Sequence, residues 1–315
     1  MAITIKGSTA FVTGAASGVG FGIAKALAKH GANIIIADIR QSAIDEALVW
    51  FSDNKYPAYG IRLDVTDREA YGKAADEAWG VFGGVEILVN NAGVEAPMGK
   101  VWLNTFKDVD FIVGVNIKGI LNGIITFVPK FLASGKPSHI VSTASQSGMY
   151  VVPGAALYNM TKAAVVALTE TLKGDLAGTN VDASVFAPGP VQGNLSVSSK
   201  EVRPAELANE ETPTQIFAPT PPPEIPTGDS HTAGFVAPPP VFDFSSFLLT
   251  GEQAGEYVVR GIESGALYIF THTEFRDSMK HKHAAIERAY PDEPEKAGFK
   301  QAFSFLTHNA VYDEK

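Results

Sequence analysis

The chain has 315 residues, room for one large α/β domain with additions or for two small ones. Its 45% apolar and 19% charged content supports a sizeable core, and a net charge of −9 without a long basic run argues against nucleic acid and anionic membrane surfaces. The absence of cysteine excludes disulfides, thiol catalysis and cysteine-ligated metal.

Residues 1–7 lack the long apolar run of a signal peptide. The most apolar long window, 111–128, is interrupted by Asn116, Lys118 and Asn122 and reads as too polar for a membrane span. The expectation is a cytoplasmic protein with no membrane partner.

Ala10-Phe11-Val12-Thr13 reads as a buried strand. It runs into Gly14-Ala15-Ala16-Ser17-Gly18-Val19-Gly20, after which 21–29 reads as a helix closed by Gly31. Strand, glycine turn and helix form the context a dinucleotide-binding loop requires. The glycines let backbone approach a pyrophosphate, and the helix N-terminus offers N–H groups and positive dipole. A glycine-rich loop alone is also compatible with a plain tight turn.

The next strand, 33–37, ends at Asp38. An acid about 20 residues past the glycines can bind the adenosine ribose hydroxyls and would repel a 2′-phosphate. It can also cap a helix from Gln41. A helix over 42–52 and a strand over 58–63 lead to Asp64-Val65. Asp64 is placed either to contact an adenine edge or to cap the helix starting near Asp67. A helix over 67–82 precedes a fourth strand, 86–89, which runs into Asn90-Asn91-Ala92-Gly93. Small residues at that strand end can line a cofactor crevice.

Strands alternating with helices of this size predict an α/β fold, a Rossmann-like doubly wound parallel sheet in a single domain. A long helical region, 102–132, contains Asn116 among apolar residues. A buried amide needs partners, and its role is either a structural hydrogen bond to a neighbouring strand or the placing of a water in a proton path. A fifth strand, 139–142, carries Ser145 just beyond its end.

Tyr158 and Lys162 stand four apart and so share one helix face. The apolar run after them, 163–168, holds that helix in a core. A phenol of pKa about 10 is a poor base at neutral pH, and a nearby ammonium lowers that value. Such a tyrosine can take a proton from an alcohol or return one to a ketone, and a serine hydroxyl beside it can hold the substrate oxygen. Taken alone, the pair also suits an ordinary amphipathic surface helix. A sixth strand, 181–186, ends in the rigid loop Ala187-Pro188-Gly189-Pro190-Val191.

Composition then changes. Ten of the nineteen prolines fall within 195–250, which excludes one long helix or a central strand there. Phe217, Phe235, Phe242, Phe244 and Phe247 argue against a plain solvated linker. Because the preceding strand ends at the ligand-binding edge of the sheet, this Pro-rich insertion is expected to form a substrate lid; the competing reading is an arm packed on a neighbouring subunit. A helix over 251–264 and a strand over 266–270 follow, and 273–315 reads as a charged helical extension. Lys280-His281-Lys282-His283 reads as a solvated face, and no metal site is assigned.

In this order, Thr13 to Gly20, Asn90-Asn91-Ala92-Gly93, Asn116, Ser145, Tyr158 with Lys162, and Pro188-Gly189 resemble the short-chain dehydrogenase/reductase family. The resemblance spans 8–191, and the last helix and strand extend it to about 271. It implies NAD as cofactor, Tyr158 as acid/base, Lys162 lowering its pKa and binding the nicotinamide ribose, Ser145 holding the substrate oxygen, and Asn116 placing a relay water. It also implies cofactor contacts from Gly14, Ser17, Gly18, Val19, Gly20, Asp38, Asp64, Val65, Asn91, Ala92, Gly93, Pro188, Gly189 and Val191. A homodimer or homotetramer built from the 102–132 and 155–176 helices is implied as well. One departure is Gly193-Asn194, where the family often carries threonine; the other is the length of the insertion.

A narrower resemblance, in 16–22, 63–71, 127–130 and 266–269, is to bacterial Cα-dehydrogenases that oxidise benzylic alcohols in lignin-derived aryl ethers. The leading expectation is thus an NAD-dependent oxidoreductase interconverting a secondary alcohol and a ketone, with a bulky or aromatic substrate. The alternatives are a non-catalytic dinucleotide-binding sensor or scaffold, and an epimerase or dehydratase using bound NAD.

Overall fold

A computed structural model describes residues 3–210 and 244–313. The first half alternates β1 (Thr9–Thr13), α1 (Gly18–Lys29), β2 (Asn33–Asp38), α2 (Gln41–Asp53), β3 (Ala58–Arg62), α3 (Arg68–Phe82) and β4 (Ile87–Asn90). Then come α4 (Phe106–Val113), a π-helical stretch (Gly114–Gly119), α5 (Ile120–Ser134), β5 (Ser138–Thr143), a short α6 (Gln146–Met149), α7 (Ala156–Asp175) and β6 (Val181–Ala187). After β6 lie α8 (Leu195–Glu201), α9 (Gly251–Ser264), β7 (Tyr268–Phe270), α10 (Arg276–Glu287) and two single turns, α11 (Phe299–Ala302) and α12 (Ser304–Thr307).

The strands form one parallel sheet in the order β3-β2-β1-β4-β5-β6-β7. Alternation along each strand divides the core in two. Phe11 and Ile35 face a cluster with Tyr71, Phe127, Phe131, Val165 and Leu172 from α3, α5 and α7. Val12, Ile34 and Ile36 face the opposite cluster, with Ile23, Leu27, Ile44, Phe51, Val258 and Ile262 from α1, α2 and α9. This is the single-domain Rossmann-like sheet the alternation predicts. The chain winds outward from β1 in both directions, so β1 and β4 are neighbours and a crevice opens between their carboxyl ends.

Four expectations change on folding. The helical region read as continuous over 102–132 is interrupted by the π stretch, which carries Asn116 at its centre. The run Phe106–Ser134 is in fact apolar and long enough to pass for a membrane span, so its polar interruptions do not exclude one. What places it in this fold is packing: Phe111, Ile112, Ile120, Ile124, Phe127 and Phe131 are buried, and Asn122 donates to the Val65 carbonyl at 2.8 Å. Among the described residues the tail from Thr273 is helical in α10, in the two single turns and in 3-10 turns at Thr273–Phe275 and Ala310–Tyr312; Pro291, Pro294 and Gly298 fall in the break between α10 and α11. Within α10, Lys282 does not belong to a purely solvated face, since its ammonium donates to the Met149 carbonyl.

Of the Pro-rich insertion, 211–243 lies outside the described residues, Phe217, Phe235 and Phe242 among them. Its two described ends meet at the carboxyl edge of the sheet. Gln192 N donates to the Leu249 carbonyl at 2.8 Å, and Leu249 N to the Pro190 carbonyl at 3.2 Å.

Candidate active site

A cavity of about 540 Å³ occupies the carboxyl edge of the sheet. Gly14, Ser17, Gly18, Val19 and Gly20 line it after β1, Asp38 after β2, Asp64 and Val65 after β3, and Asn91, Ala92 and Gly93 after β4. Ser145, Tyr158 and Lys162 line its inner part, with Pro188, Gly189 and Val191 after β6.

The loop after β1 must be glycine where it meets β4. Gly14 has φ +61°, and a Cβ there would lie 2.9 Å from the Ala92 Cα. A Cβ at Gly20 would overlap the Gly14 carbonyl and the Asn91 amide. Thr13 fastens the two loops: its hydroxyl accepts from Asn91 N at 2.9 Å and Ala92 N at 3.0 Å, while Asn91 Nδ2 donates to the Thr13 carbonyl at 3.0 Å. The N-terminus of α1 is thereby aimed at a cradle floored by backbone, which fits a pyrophosphate. At the other end Asp38, 5% exposed, accepts from Ala16 N at 3.3 Å and from Arg40 N at 3.1 Å. Arg40 itself is held by Asp38 (3.3 Å), by the Ser17 hydroxyl (2.8 Å) and by Glu201 (3.5 Å). A glycine cradle, a helix N-terminus and an acid at the end of β2 together fit a nicotinamide dinucleotide.

The helix-capping alternatives resolve by geometry. Residue Asp67, not Asp64, caps α3, accepting from Glu69 N and Ala70 N at 3.0 Å. Asp64 instead closes a tight turn, accepting from Thr66 N at 2.9 Å and its hydroxyl at 2.8 Å. Asp38 does not cap α2, whose N-cap is Arg40.

Ser145 is the N-cap of α6, where its hydroxyl accepts from Ser147 N at 3.1 Å and shares a hydrogen bond with the Tyr158 phenol. Desolvation pushes the Tyr158 phenol up to about 12, the Ser145 bond opposes that rise, and the charge of Glu95 adds to it. Lys162, 4% exposed, donates to the Thr143 carbonyl at 2.8 Å and lies 5.5 Å from the Tyr158 ring centroid. Burial lowers its pKa from 10.5 to about 8. The lowering of the tyrosine by the lysine expected from sequence is not seen: desolvation sets the direction, and what opposes it is the Ser145 bond.

Asn116 does not line the cavity. Fully buried, it accepts from Val94 N at 2.8 Å and donates to the Val94 carbonyl at 2.8 Å and the Thr161 hydroxyl at 3.1 Å. Its amide braces the loop after β4 against α7, so its structural hydrogen bonds go to a loop and a helix and not to a neighbouring strand. Sequence reasoning missed Thr13 and Thr143, which hold Asn91 and Lys162; Thr143 acts through its carbonyl, which no side-chain pattern signals. It also missed Phe111, Val115, Val202 and Leu207, an apolar lining of the cavity drawn from α4, the π stretch and the insertion.

The fold and site define a dinucleotide-binding α/β protein with a Ser-Tyr-Lys set at the inner end of its cleft. The chain belongs to the short-chain dehydrogenase family, whose sequence pattern matches residues 8–203. It is 34% identical to a C alpha-dehydrogenase of Sphingobium sp. strain SYK-6, over 94% of this chain and 91% of that one. Among solved structures it resembles a short-chain dehydrogenase/reductase from Burkholderia phymatum in complex with NAD, with TM-score 0.78, 29% identity, and 93% and 99% of the two chains covered. It also resembles the apo form of LigD from Sphingobium sp. strain SYK-6, with TM-score 0.72, 31% identity, and 92% and 100% covered. Family membership makes the chain an oxidoreductase that binds a nicotinamide dinucleotide and acts on a small molecule.

Proposed function

We propose that this chain interconverts a secondary alcohol and a ketone with NAD, and that the substrate is bulky and apolar or aromatic. The observation that carries the reading is the convergence of the Tyr158 phenol, the Ser145 hydroxyl and the buried Lys162 on the same cavity as the glycine cradle. When bound, the nicotinamide supplies the hydride acceptor or donor. Ser145 holds the substrate oxygen, and Tyr158 exchanges a proton with it. Lys162, pinned by Thr143, binds the nicotinamide ribose and provides positive charge near the phenol. The apolar lining by Phe111, Val115, Val202 and Leu207, and the similarity to a C alpha-dehydrogenase, favour a bulky substrate. The insertion, with its near arm on this lining, serves as the substrate lid. The test is NADH formed in step with ketone from a panel of secondary alcohols; no NADH with any of them would leave the sensor or scaffold and the epimerase or dehydratase readings.

NAD is preferred because the adenosine end carries Asp38 and Asp64, and Arg40, the cation beside them among the described lining residues, is already held by Asp38, Ser17 and Glu201. Catalytic efficiency is expected to be at least about ten-fold higher with NAD than with NADP, equivalent to about 1.4 kcal/mol. Asp38→Ala, which frees Arg40 to meet a phosphate, should narrow that ratio. Equal efficiency in the wild type sinks the assignment.

The chain is further proposed to act in the cytoplasm as a homodimer or homotetramer. Ile125 and Leu132 of α5 and Met160 of α7 are exposed on faces turned away from the sheet, which suits a helix-to-helix interface. Light scattering at micromolar concentration should return a multiple of 33.4 kDa; a monomer throughout would remove this part of the proposal.

A further inference from the structure

The near arm of the insertion, 195–209, is fastened by bonds that the Ser145, Tyr158 and Lys162 set does not use. The Ser199 hydroxyl accepts from Glu95 N at 3.0 Å. Arg203 donates from Nη1 to Asp108 Oδ1 at 2.7 Å and from Nε to the Leu207 carbonyl at 2.7 Å, with its guanidinium 5.3 Å from the Phe111 ring centroid. Asn209 donates to the same Asp108 oxygen at 3.0 Å and accepts from the Thr105 hydroxyl at 2.8 Å. Lys107 donates to the Ala208 carbonyl at 3.0 Å.

Asp108 is the centre of this network and is 1% exposed. Its second oxygen accepts from Thr105 N at 2.8 Å and completes the capping box of α4. One buried carboxylate therefore both caps α4 and grips the arm. Burial acts to raise its pKa, but the Thr105 backbone, Arg203 and Asn209 outweigh it and hold the carboxyl below its ordinary range. A buried charge bound this way is strongly dependent on each partner, because removing one leaves the other unmatched. The consequence reaches the catalytic set. With the arm gripped, Val202 and Leu207 pack on the cluster of Val94, Phe111 and Leu157, beside Tyr158.

We propose that Asp108 and Arg203 are positioning residues whose ion pair fixes Val202 and Leu207 as the substrate-side wall, making the cavity selective for a bulky apolar alcohol or ketone. This rests on the alcohol–ketone reading above. The ion pair bridges α4 and a segment 95 residues further along the chain, so wall and helix move as one body. Neither residue touches the reacting atoms.

The test is Arg203→Met, which keeps an apolar stem over Phe111 but removes the donors. With α-methylbenzyl alcohol, KM should rise at least about ten-fold while kcat stays within about two-fold, the pattern of lost uniform binding. The dissociation constant for NAD should not move. Amide hydrogen exchange across 199–209 should increase and that of the hydrogen-bonded core of α4 should not. Arg203→Lys should recover part of both effects. If Arg203→Met does not fold, Asn209→Ala removes one bond to Asp108 and one to Thr105 and should act in the same direction, more weakly. An unchanged KM, a fall in kcat with KM unmoved, or unaltered exchange across 199–209 overturns the inference. If the wild type oxidises no alcohol at all, the alcohol–ketone reading fails, while exchange across 199–209 still decides whether the ion pair fixes the arm.

Discussion

Tyr158→Phe is expected to lower turnover by at least about 100-fold, the lower end of what a positioned general acid–base contributes, with NAD binding nearly unchanged. Phenylalanine keeps the ring that lines the cavity and packs beside Val94 and Phe111, so the cleft should keep its shape. What disappears is the hydroxyl shared with Ser145. The wild type also has a pH signature. In the unliganded chain desolvation holds the phenol at about 12, so it stays protonated through neutral pH, the form that donates to a ketone. Alcohol oxidation needs the phenolate, so its rate should increase with pH, while ketone reduction should lack that increase. Stopped-flow and steady-state rates in both directions check this. Near wild-type turnover by Tyr158→Phe would remove Tyr158 from the acid/base role.

Lys162→Met is expected to be as inactive and, unlike Tyr158→Phe, to weaken NAD binding, because the lysine lines the same cavity as the glycine cradle and is proposed to bind the nicotinamide ribose. It should also change how stability depends on pH. Lys162 is buried, and its pKa falls from 10.5 to about 8 on folding. Below about pH 8 both folded and unfolded chains carry the proton, and burial of the ammonium opposes folding in full. Between about 8 and 10.5 the unfolded chain still binds the proton and the folded chain does not, so stability rises with pH in that window. The variant has no such group. From about pH 7.5 to 10 the wild type should therefore gain about 2 kcal/mol relative to Lys162→Met, from a value of about 1.4 kcal/mol per pKa unit. Tyr158, whose folded pKa lies above the ordinary phenol value and acts in the opposite sense near pH 10, is present in both proteins and largely drops out of the comparison. Losing the Thr143 hydrogen bond shifts the variant's stability at every pH and leaves this slope intact. Parallel urea titrations at the two ends of the window measure it; equal changes in the two proteins would show that Lys162 is not buried as an ammonium.

The order of strands and helices, the loops at each strand's carboxyl end and the residues that carry polar chemistry there are all legible in the sequence. Those features are local. Hydrophobic alternation and glycine punctuation decide the elements, and a parallel sheet of them brings Gly14, Asp38, Asp64, Asn91, Ser145 and Pro188 to one edge whatever the details of packing. Tyr158 and Lys162 were legible for the same reason, since four residues of helix bring them onto one face.

What each polar group is paired with depends on packing between elements far apart in the chain. Asn116 proved to brace Val94 and Thr161 through a π-helical stretch, which no helical periodicity announces. The capping of α3 fell to Asp67, three residues past Asp64, because the chain turns once more before the helix starts. Lys162 is anchored by the Thr143 carbonyl, and backbone acceptors are the same in every residue type. Most of all, the wall built by Val202 and Leu207 rests on an ion pair between Asp108 and Arg203. In the sequence these are two unremarked charges far apart; they meet because the loop after β6 and the helix after β4 rise from the same sheet edge with β5 between their strands, and desolvation there makes their pairing obligatory.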